Sequence, residues 1–188
     1  WHLKILKHSK SDDCFAQLSS NPQADKWIDW LRHQPLCIEH NNFTLVHAGL
    51  YPYWTRKQNI DMSRMIEKQL QKESFENAMS QLWQHANASA VNDNQAGFAL
   101  NVFTRMRYLQ PNRQLCLATK GLIALKESSF LPWFDLWPIQ EKKIFFGHWS
   151  ALEGKTNRED IVCLDHGCVW QKKLCAYHLE SGNIICQS

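Results

Sequence analysis

The chain lacks any uninterrupted apolar stretch approaching the ~18 residues of a membrane span, and its opening, Trp1-His2-Leu3-Lys4-Ile5-Leu6-Lys7, is too short and too broken by lysine for a secretory signal. A soluble, unexported, cytoplasmic protein with no membrane association is the expectation. Glycine and proline are scarce, 7 and 6 of 188 residues, which excludes collagen-like, mucin-like and low-complexity disordered classes. No excess charge of one sign exists either: 21 Lys+Arg stand against 18 Asp+Glu, for a net +3, and the basic residues are scattered. Composition therefore gives no argument for a nucleic-acid groove, and any phosphate chemistry has to come from a local site. The cysteines, Cys14, Cys37, Cys116, Cys163, Cys168, Cys175 and Cys186, are odd in number and contain no C-x-x-C pair, which disfavours a disulfide framework and a zinc ribbon. They read as free thiols in a reducing compartment. Finally, G-x-x-x-x-G-K-[ST], G-x-G-x-x-G, G-x-S-x-G and H-E-x-x-H are all missing, so P-loop, dinucleotide, α/β-hydrolase and zincin chemistry have no motif support.

What is present is an ordinary globular chain, 44% hydrophobic and 12% aromatic, long enough for one domain that buries roughly 70% of its unfolded surface. No repeat or linker divides residues 1–188. Asn21-Pro22 opens an amphipathic helix through His33, with Trp27, Ile28, Trp30 and Leu31 at helical spacing and the tryptophan pair expected in the core. Leu36-Cys37-Ile38 and Phe43-Thr44-Leu45-Val46 flank Asn41-Asn42 as a tight hairpin. Two helices follow from Asn59 to about Ala86, with Ser74 as a cap between them, and another helix or turn runs through Phe98, Val102 and Phe103. Pro111-Asn112 turns between short strands. The last third reads as strands at Lys143 to Phe146, Ile161 to Leu164, Leu174 to His178 and Asn183 to Cys186, closed by Ser181-Gly182. Helices mostly first and strands mostly last give an α/β chain in an α+β arrangement.

Two histidines share one context. Val46-His47-Ala48-Gly49 and Phe145-Phe146-Gly147-His148-Trp149 each place an imidazole just past an apolar strand, beside a glycine that lets the backbone turn. Neutral imidazole is the commonest metal ligand, and the matched settings point to ligands rather than to core histidines capped by a carbonyl. His2, His8, His33, His40, His85 and His178 read as surface residues. His166, within Leu164-Asp165-His166-Gly167-Cys168, lies in a third strand-end turn, where a turn role for Asp165 and Gly167 ranks above a ligand role for His166. In Thr104-Arg105-Met106-Arg107 the two guanidiniums share a face if the segment is extended and diverge on a helix. A planar fork suits bidentate grip on phosphate, and a solvated helix end accounts for the pair equally well.

These segments together resemble one family, the bacterial symmetrical diadenosine tetraphosphatases, metallophosphoesterases related to Ser/Thr protein phosphatases. The likeness rests on Trp30-Leu31-Arg32-His33-Gln34-Pro35-Leu36, Val46-His47-Ala48-Gly49-Leu50, Asn101-Val102-Phe103-Thr104-Arg105-Met106-Arg107, Pro132-Trp133-Phe134, Phe146-Gly147-His148-Trp149-Ser150-Ala151-Leu152-Glu153-Gly154 and Leu164-Asp165-His166-Gly167-Cys168-Val169-Trp170, in the family's order from end to end. The resemblance implies a calcineurin-like αββα sandwich with two divalent ions, manganese or cobalt. Such an enzyme splits diadenosine tetraphosphate symmetrically into two ADP by attack of a metal-activated hydroxide on a phosphoryl group. It implies His47 and His148 as metal ligands and Arg105 and Arg107 as phosphate-binding residues. Dinucleoside polyphosphate is the implied partner, with tetraphosphate-capped RNA ends as a further one and no obligate protein partner.

The family's G-D-x-H-G, G-D-[LV]-x-x-R-G and G-N-H-D motifs are missing, and Trp1-His2-Leu3 resembles the stretch just after G-N-H-D. Residues 1–188 are therefore expected to form one N-terminally incomplete metallophosphoesterase domain, the C-terminal portion of the sandwich. Such a chain retains two ligands of a binuclear set and turns over little by itself. His166 departs from the threonine common in the family. The alternatives are a phosphoprotein phosphatase of the same superfamily and a noncatalytic domain that kept the fold.

Overall fold

The computed structural model describes residues 20–72, 74–83, 95–119, 121–122 and 129–188. His2, His8, Cys14 and His85 lie outside the described residues, as does the loop beginning at Asn87. In chain order the elements are α1 (Ala24–Arg32), β1 (Cys37–Glu39), β2 (Phe43–Val46), α2 (Arg56–Lys72), α3 (Phe75–Trp83), α4 (Gln95–Arg105), β3 (Tyr108–Leu109), β4 (Leu115–Cys116), β5 (Leu131–Pro132), α5 (Trp133–Leu136), β6 (Lys143–Phe146), β7 (Ile161–Cys163), β8 (Leu174–Tyr177) and β9 (Ile184–Gln187).

The central sheet runs β1-β2-β6-β7. The hairpin expected around Asn41-Asn42 forms, with Cys37 opposite Val46 and the His40 N–H donating to the Phe43 carbonyl at 2.9 Å. Beyond it the sheet is parallel: β2 pairs with β6 in the register Val46–Phe146, and β6 with β7 in the register Phe146–Cys163. Parallel strands are buried on both faces and so read as near-continuous apolar runs. Ile144, Phe145, Phe146, Ile161 and Cys163 are accordingly buried. One side of Phe145 is covered by Tyr177 of the β8–β9 hairpin, with ring centroids 4.7 Å apart. Phe146 packs edge-on against Trp133 at 5.3 Å.

Between β2 and β6 the chain makes its helical layer, where α2 packs on both α3 and α4. α4 is buried from Gly97 through Phe103, which places it at the centre of the core with Ile66, Leu70 and Leu82 beside it. The sequence pattern starts α2 at about Asn59, and the helix in fact begins at Arg56. Thr55 and Gln58 explain the difference, because the Gln58 N–H donates to the Thr55 hydroxyl at 3.1 Å and the Thr55 N–H to Gln58 Oε1 at 2.7 Å. This reciprocal pair is a capping box, which satisfies amides that otherwise have no helical partner. Ser74 caps α3 as expected, its hydroxyl accepting from the Asn77 N–H at 3.3 Å.

Two expectations are corrected. Trp27 and Trp30 are 44% and 64% exposed, whereas Ala24 and Ile28 are the buried residues of α1. The apolar stripe of α1 is wider than the face its neighbours cover, so spacing alone overstates what is buried. The cysteines are not all free thiols: Cys175 and Cys186 are bridged across the β8–β9 hairpin, where they are direct cross-strand partners. Cys37, Cys116 and Cys163 are free and buried, and Cys168 is free and exposed. Among the described residues no helix is long and apolar enough to cross a membrane.

Candidate metal centre

Three parallel strands end side by side, and each hands a polar residue to the same edge. β2 runs out at Val46 into His47, β6 at Phe146 into Gly147-His148, and β7 at Cys163 into Leu164-Asp165. The ladder continues one step past the strands, with the Gly147 N–H donating to the His47 carbonyl at 2.9 Å and the Leu164 N–H to the Phe146 carbonyl at 2.8 Å. Ligand sites of parallel sheets form outside the carboxyl ends of the strands, and the register here forces His47 and His148 together there.

The two imidazoles meet directly: His47 Nε2 and His148 Nδ1 are 3.2 Å apart, with ring centroids at 4.9 Å and planes tilted by 53°. Two nitrogens each about 2.0–2.1 Å from a shared ion, at angles between 90° and tetrahedral, stand roughly 2.8–3.4 Å apart, so the observed spacing fits joint coordination of one cation. A single N–H···N hydrogen bond has the same separation, and the tautomers decide between the two. His148 Nε2 is buried without a hydrogen-bond partner among the described residues. Burial, then Arg107, then His47 push the His148 pKa down to about 4, so its ring is neutral at pH 7. Burial also lowers the pKa of His47, while the nearby Asp165 carboxylate opposes that shift. Both rings therefore present lone pairs at neutral pH. Among the described residues no further His, Cys, Asp or Glu completes a three-ligand cluster with them, so the described residues fit one ion held by two imidazoles.

The glycine of each motif has a different job. A Cβ on Gly49 would stand 2.7 Å from the Met106 methyl and 2.8 Å from the Trp133 ring, so Gly49 is there for close approach of α4's exit and α5. Gly147 has ordinary room, its nearest neighbours lying at 3.8 Å. In that motif the turn is taken by His148 itself, whose φ is 65°. A non-glycine residue in the left-handed region is uncommon and such strain collects at functional sites.

Arg105 ends α4 and Arg107 lies in the two-residue link before β3, so neither a continuous helix nor a continuous strand sets their directions. Arg107 Nη2 donates to the His148 carbonyl at 2.9 Å, which fastens the arginine to the strained residue. Its Nε is buried and has no hydrogen-bond partner among the described residues. Arg105 donates to the Asn101 side chain at 3.1 Å and also influences the His148 ring electrostatically. Burial lowers the pKa of both guanidiniums, which nevertheless stay charged. The structure thus brings His47, His148, Arg105 and Arg107 to one place. His33, His40 and His178 stay away from it, hydrogen-bonded or stacked near the surface.

Two further residues shape the centre. Asn59 holds the loop after His47, with its Oδ1 accepting from the Tyr51 N–H at 2.8 Å and its Nδ2 donating to the Tyr51 carbonyl at 3.1 Å. Nothing in its helical setting marks it. Asp165 supplies negative charge to His47 and Arg107, and Leu164-Asp165 at a strand end was the available signal. Asp165 also has the expected turn role, accepting from the Gly167 N–H at 2.9 Å, with Gly167 at φ 82°. Beside the centre His47 lines an apolar cleft of about 470 Å³ with Ile28, Leu36, Leu70 and Leu100.

No family model matches the chain. Individual relatives do. A symmetrical bis(5'-nucleosyl)-tetraphosphatase of Dechloromonas aromatica is 33% identical over 186 residues, covering 95% of this chain and 67% of the relative. One of Haemophilus ducreyi is 34% identical over 191 residues, covering 97% and 70%. A crystal structure assigned as a diadenosine tetraphosphatase shares the fold with a TM-score of 0.53 at 19% identity, and the match covers 99% of this chain and 61% of that one. The chain thus spans about two thirds of the length of the curated relatives it matches. With identity above 30% over 95% or more of its residues, the chain belongs to the symmetrical bis(5'-nucleosyl)-tetraphosphatase family.

Proposed function

We propose that this chain hydrolyses dinucleoside tetraphosphates symmetrically, diadenosine tetraphosphate to two ADP, with a divalent metal held by His47 and His148 and the polyphosphate held by Arg105 and Arg107. The observation that carries the reading is the 3.2 Å approach of two neutral imidazole nitrogens at the carboxyl edge of a parallel sheet, with two arginines alongside. Manganese or cobalt is the metal proposed; bound there, it supplies Lewis-acid polarisation of a phosphoryl oxygen and a nucleophile at neutral pH.

The chain's own residues account for the rest. Arg107, anchored on the His148 carbonyl, keeps its remaining donors in a fixed direction, and Arg105 adds a second cation, so nonbridging oxygens are gripped and oriented while their charge is balanced. The Asp165 carboxylate sits near both His47 and Arg107 and limits the repulsion between cations gathered at one edge. The cleft beside His47 offers apolar surface to the nucleoside end of such a substrate. Two imidazoles hold one ion weakly, so slow turnover is expected of these 188 residues taken alone. Tetraphosphate-capped RNA ends present the same phosphate chain and are a second substrate class for the same groups. The names of the relatives favour this reading over a phosphoprotein phosphatase or a noncatalytic domain.

The test supplies manganese or cobalt and diadenosine tetraphosphate and resolves the nucleotides by chromatography. ADP as the sole product, with both His47→Ala and His148→Ala losing it, is expected. Release of AMP with ATP, or preferential release of phosphate from phosphoserine peptides, would overturn the proposal.

A further inference from the structure

A second set of ligand atoms lies apart from the histidine pair. An imidazole nitrogen of His166, in the turn after β7, and the Sγ atoms of Cys175 and Cys186, on β8 and β9, all lie within 4.8 Å of one another. The two cysteines are directly opposite in the hairpin with Cα atoms 4.1 Å apart. That is the short spacing of a non-hydrogen-bonded antiparallel pair, about 4.5 Å, in which side chains stand closest, so the sulfurs remain neighbours whether bridged or reduced.

His166 is set against them by its packing. Its ring fills the space over Gly154, where any Cβ would overlap the imidazole, and Gly154 has φ +82°. Its Nε2 is buried and has no hydrogen-bond partner among the described residues, which costs free energy unless something pairs with it. A cleft of about 530 Å³, lined by Glu153, Lys155, His166, Lys172 and Cys186 among others, gives a small ion a way in. The Lys172 ammonium is already committed to Glu153 at 2.5 Å.

We propose that the dithiol form of this chain binds one borderline-soft divalent cation of the zinc class through His166, Cys175 and Cys186, and that the Cys175–Cys186 disulfide excludes it. Two thiolates and an imidazole are the donor set that such ions take, and three protein ligands leave a fourth position for water or another donor. Sulfur donors disfavour the harder manganese and magnesium, so this site does not compete for manganese at His47 and His148, whereas cobalt and zinc enter it. Binding releases two thiol protons, one from each cysteine, and the cation's two charges are balanced by the two thiolates. When a disulfide or peroxide oxidant reaches the loaded site, the sulfurs form one S–S bond, two electrons pass to the oxidant, and the cation leaves with its charge unchanged. Because β8 and β9 are joined to β6 through Tyr177 and Phe145, the cation would clamp the hairpin to the turn that leaves β7.

The experiment titrates cobalt(II) into the whole chain, reduced by a phosphine. Thiolate-to-cobalt charge-transfer absorption whose plateau intensity corresponds to one thiolate-bound cobalt per chain, and which zinc displaces, is expected. It is absent from the disulfide form and from Cys175→Ser, and His166→Ala weakens it at least about tenfold. In parallel, zinc is expected to protect Cys175 and Cys186 of the reduced wild-type chain from iodoacetamide while Cys168 reacts, which needs no variant to fold. No charge-transfer band in the reduced chain, a band retained in Cys175→Ser, or zinc failing to protect the pair would overturn the proposal. The His47–His148 centre contains no sulfur, so these readouts are independent of the proposed hydrolysis.

Discussion

Replacing Gly49 and Gly147 by alanine, one at a time, separates two positions that look alike in the sequence, since each sits within two residues of a candidate ligand. At Gly49 the new methyl would stand 2.7 Å from the Met106 methyl and 2.8 Å from the Trp133 ring, and both of those side chains are fully buried. The methionine end can move, but Trp133 is packed edge-on by Phe134, Trp137 and Phe146 and cannot. Overpacking of this kind costs about 1–3 kcal/mol. At Gly147 the methyl meets nothing closer than 3.8 Å and the backbone is outside the left-handed region, so the loss of unfolded-state freedom is expected to stabilise by about 0.4–1 kcal/mol. Urea unfolding followed by tryptophan fluorescence measures both. With m of about 2 kcal/mol/M, a difference of about 2 kcal/mol separates the midpoints by about 1 M, Gly49→Ala lower and Gly147→Ala at or above wild type. Coincident midpoints, or a less stable Gly147→Ala, would refute the assignment of close approach to Gly49 alone.

Asn59→Ala leaves the Tyr51 N–H without its partner in a buried site, while the Tyr51 carbonyl keeps the Trp54 N–H, and a loss of about 1–3 kcal/mol by the same unfolding assay is expected; a change under about 0.5 kcal/mol would mean that Asn59 does not hold the loop. Arg107→Lys gives up the planar fork and its bond to the His148 carbonyl, so affinity for ADP in the presence of manganese should fall about tenfold or more in calorimetry, and unchanged affinity would remove Arg107 from the phosphate site. Asp160 is hydrogen-bonded by Arg158, which also caps the Phe134 and Trp137 carbonyls, and this holds its pKa below the usual carboxylate value. A lowered folded-state pKa contributes stability that is fully present above the unfolded value of about 3.9 and is lost as pH falls through the folded one. Asp160→Asn should therefore be less stable at pH 7 and lose less stability than wild type below about pH 4, and parallel stability curves for the two proteins would contradict this.

Much of the strand and helix layout was legible because its signals are local. Asn41-Asn42 announces a hairpin by its tolerance of tight turns, and the apolar run Lys143 to Phe146 announces a strand buried on both faces. The start of α2 was misplaced because Thr55 and Gln58 act as a pair and neither is apolar. Trp27 and Trp30 share the apolar stripe of α1 and yet stay exposed, since periodicity shows which residues share a face and not how much of it a neighbour covers. The disulfide was missed for a related reason: Cys175 and Cys186 meet only through hairpin register, 11 residues apart, while spacing rules look for shorter motifs. At the centre, His47 and His148 were recognised from their matching strand ends, but their meeting depends on β2 and β6 being adjacent and parallel, which no local pattern encodes. Asn59 and Asp165 act through long-range contacts and electrostatics and left little trace in their own neighbourhoods.

The central claim, that His47 and His148 jointly hold one cation, is tested most directly by calorimetric titration of cobalt(II) into the disulfide-bridged protein, a form in which Cys175 and Cys186 offer no thiolate. One ion per chain in the wild type is predicted, with His47→Ala and His148→Ala each weakening it at least about tenfold and the double variant no worse than the weaker single one. Wild-type affinity in either folded single variant would contradict it.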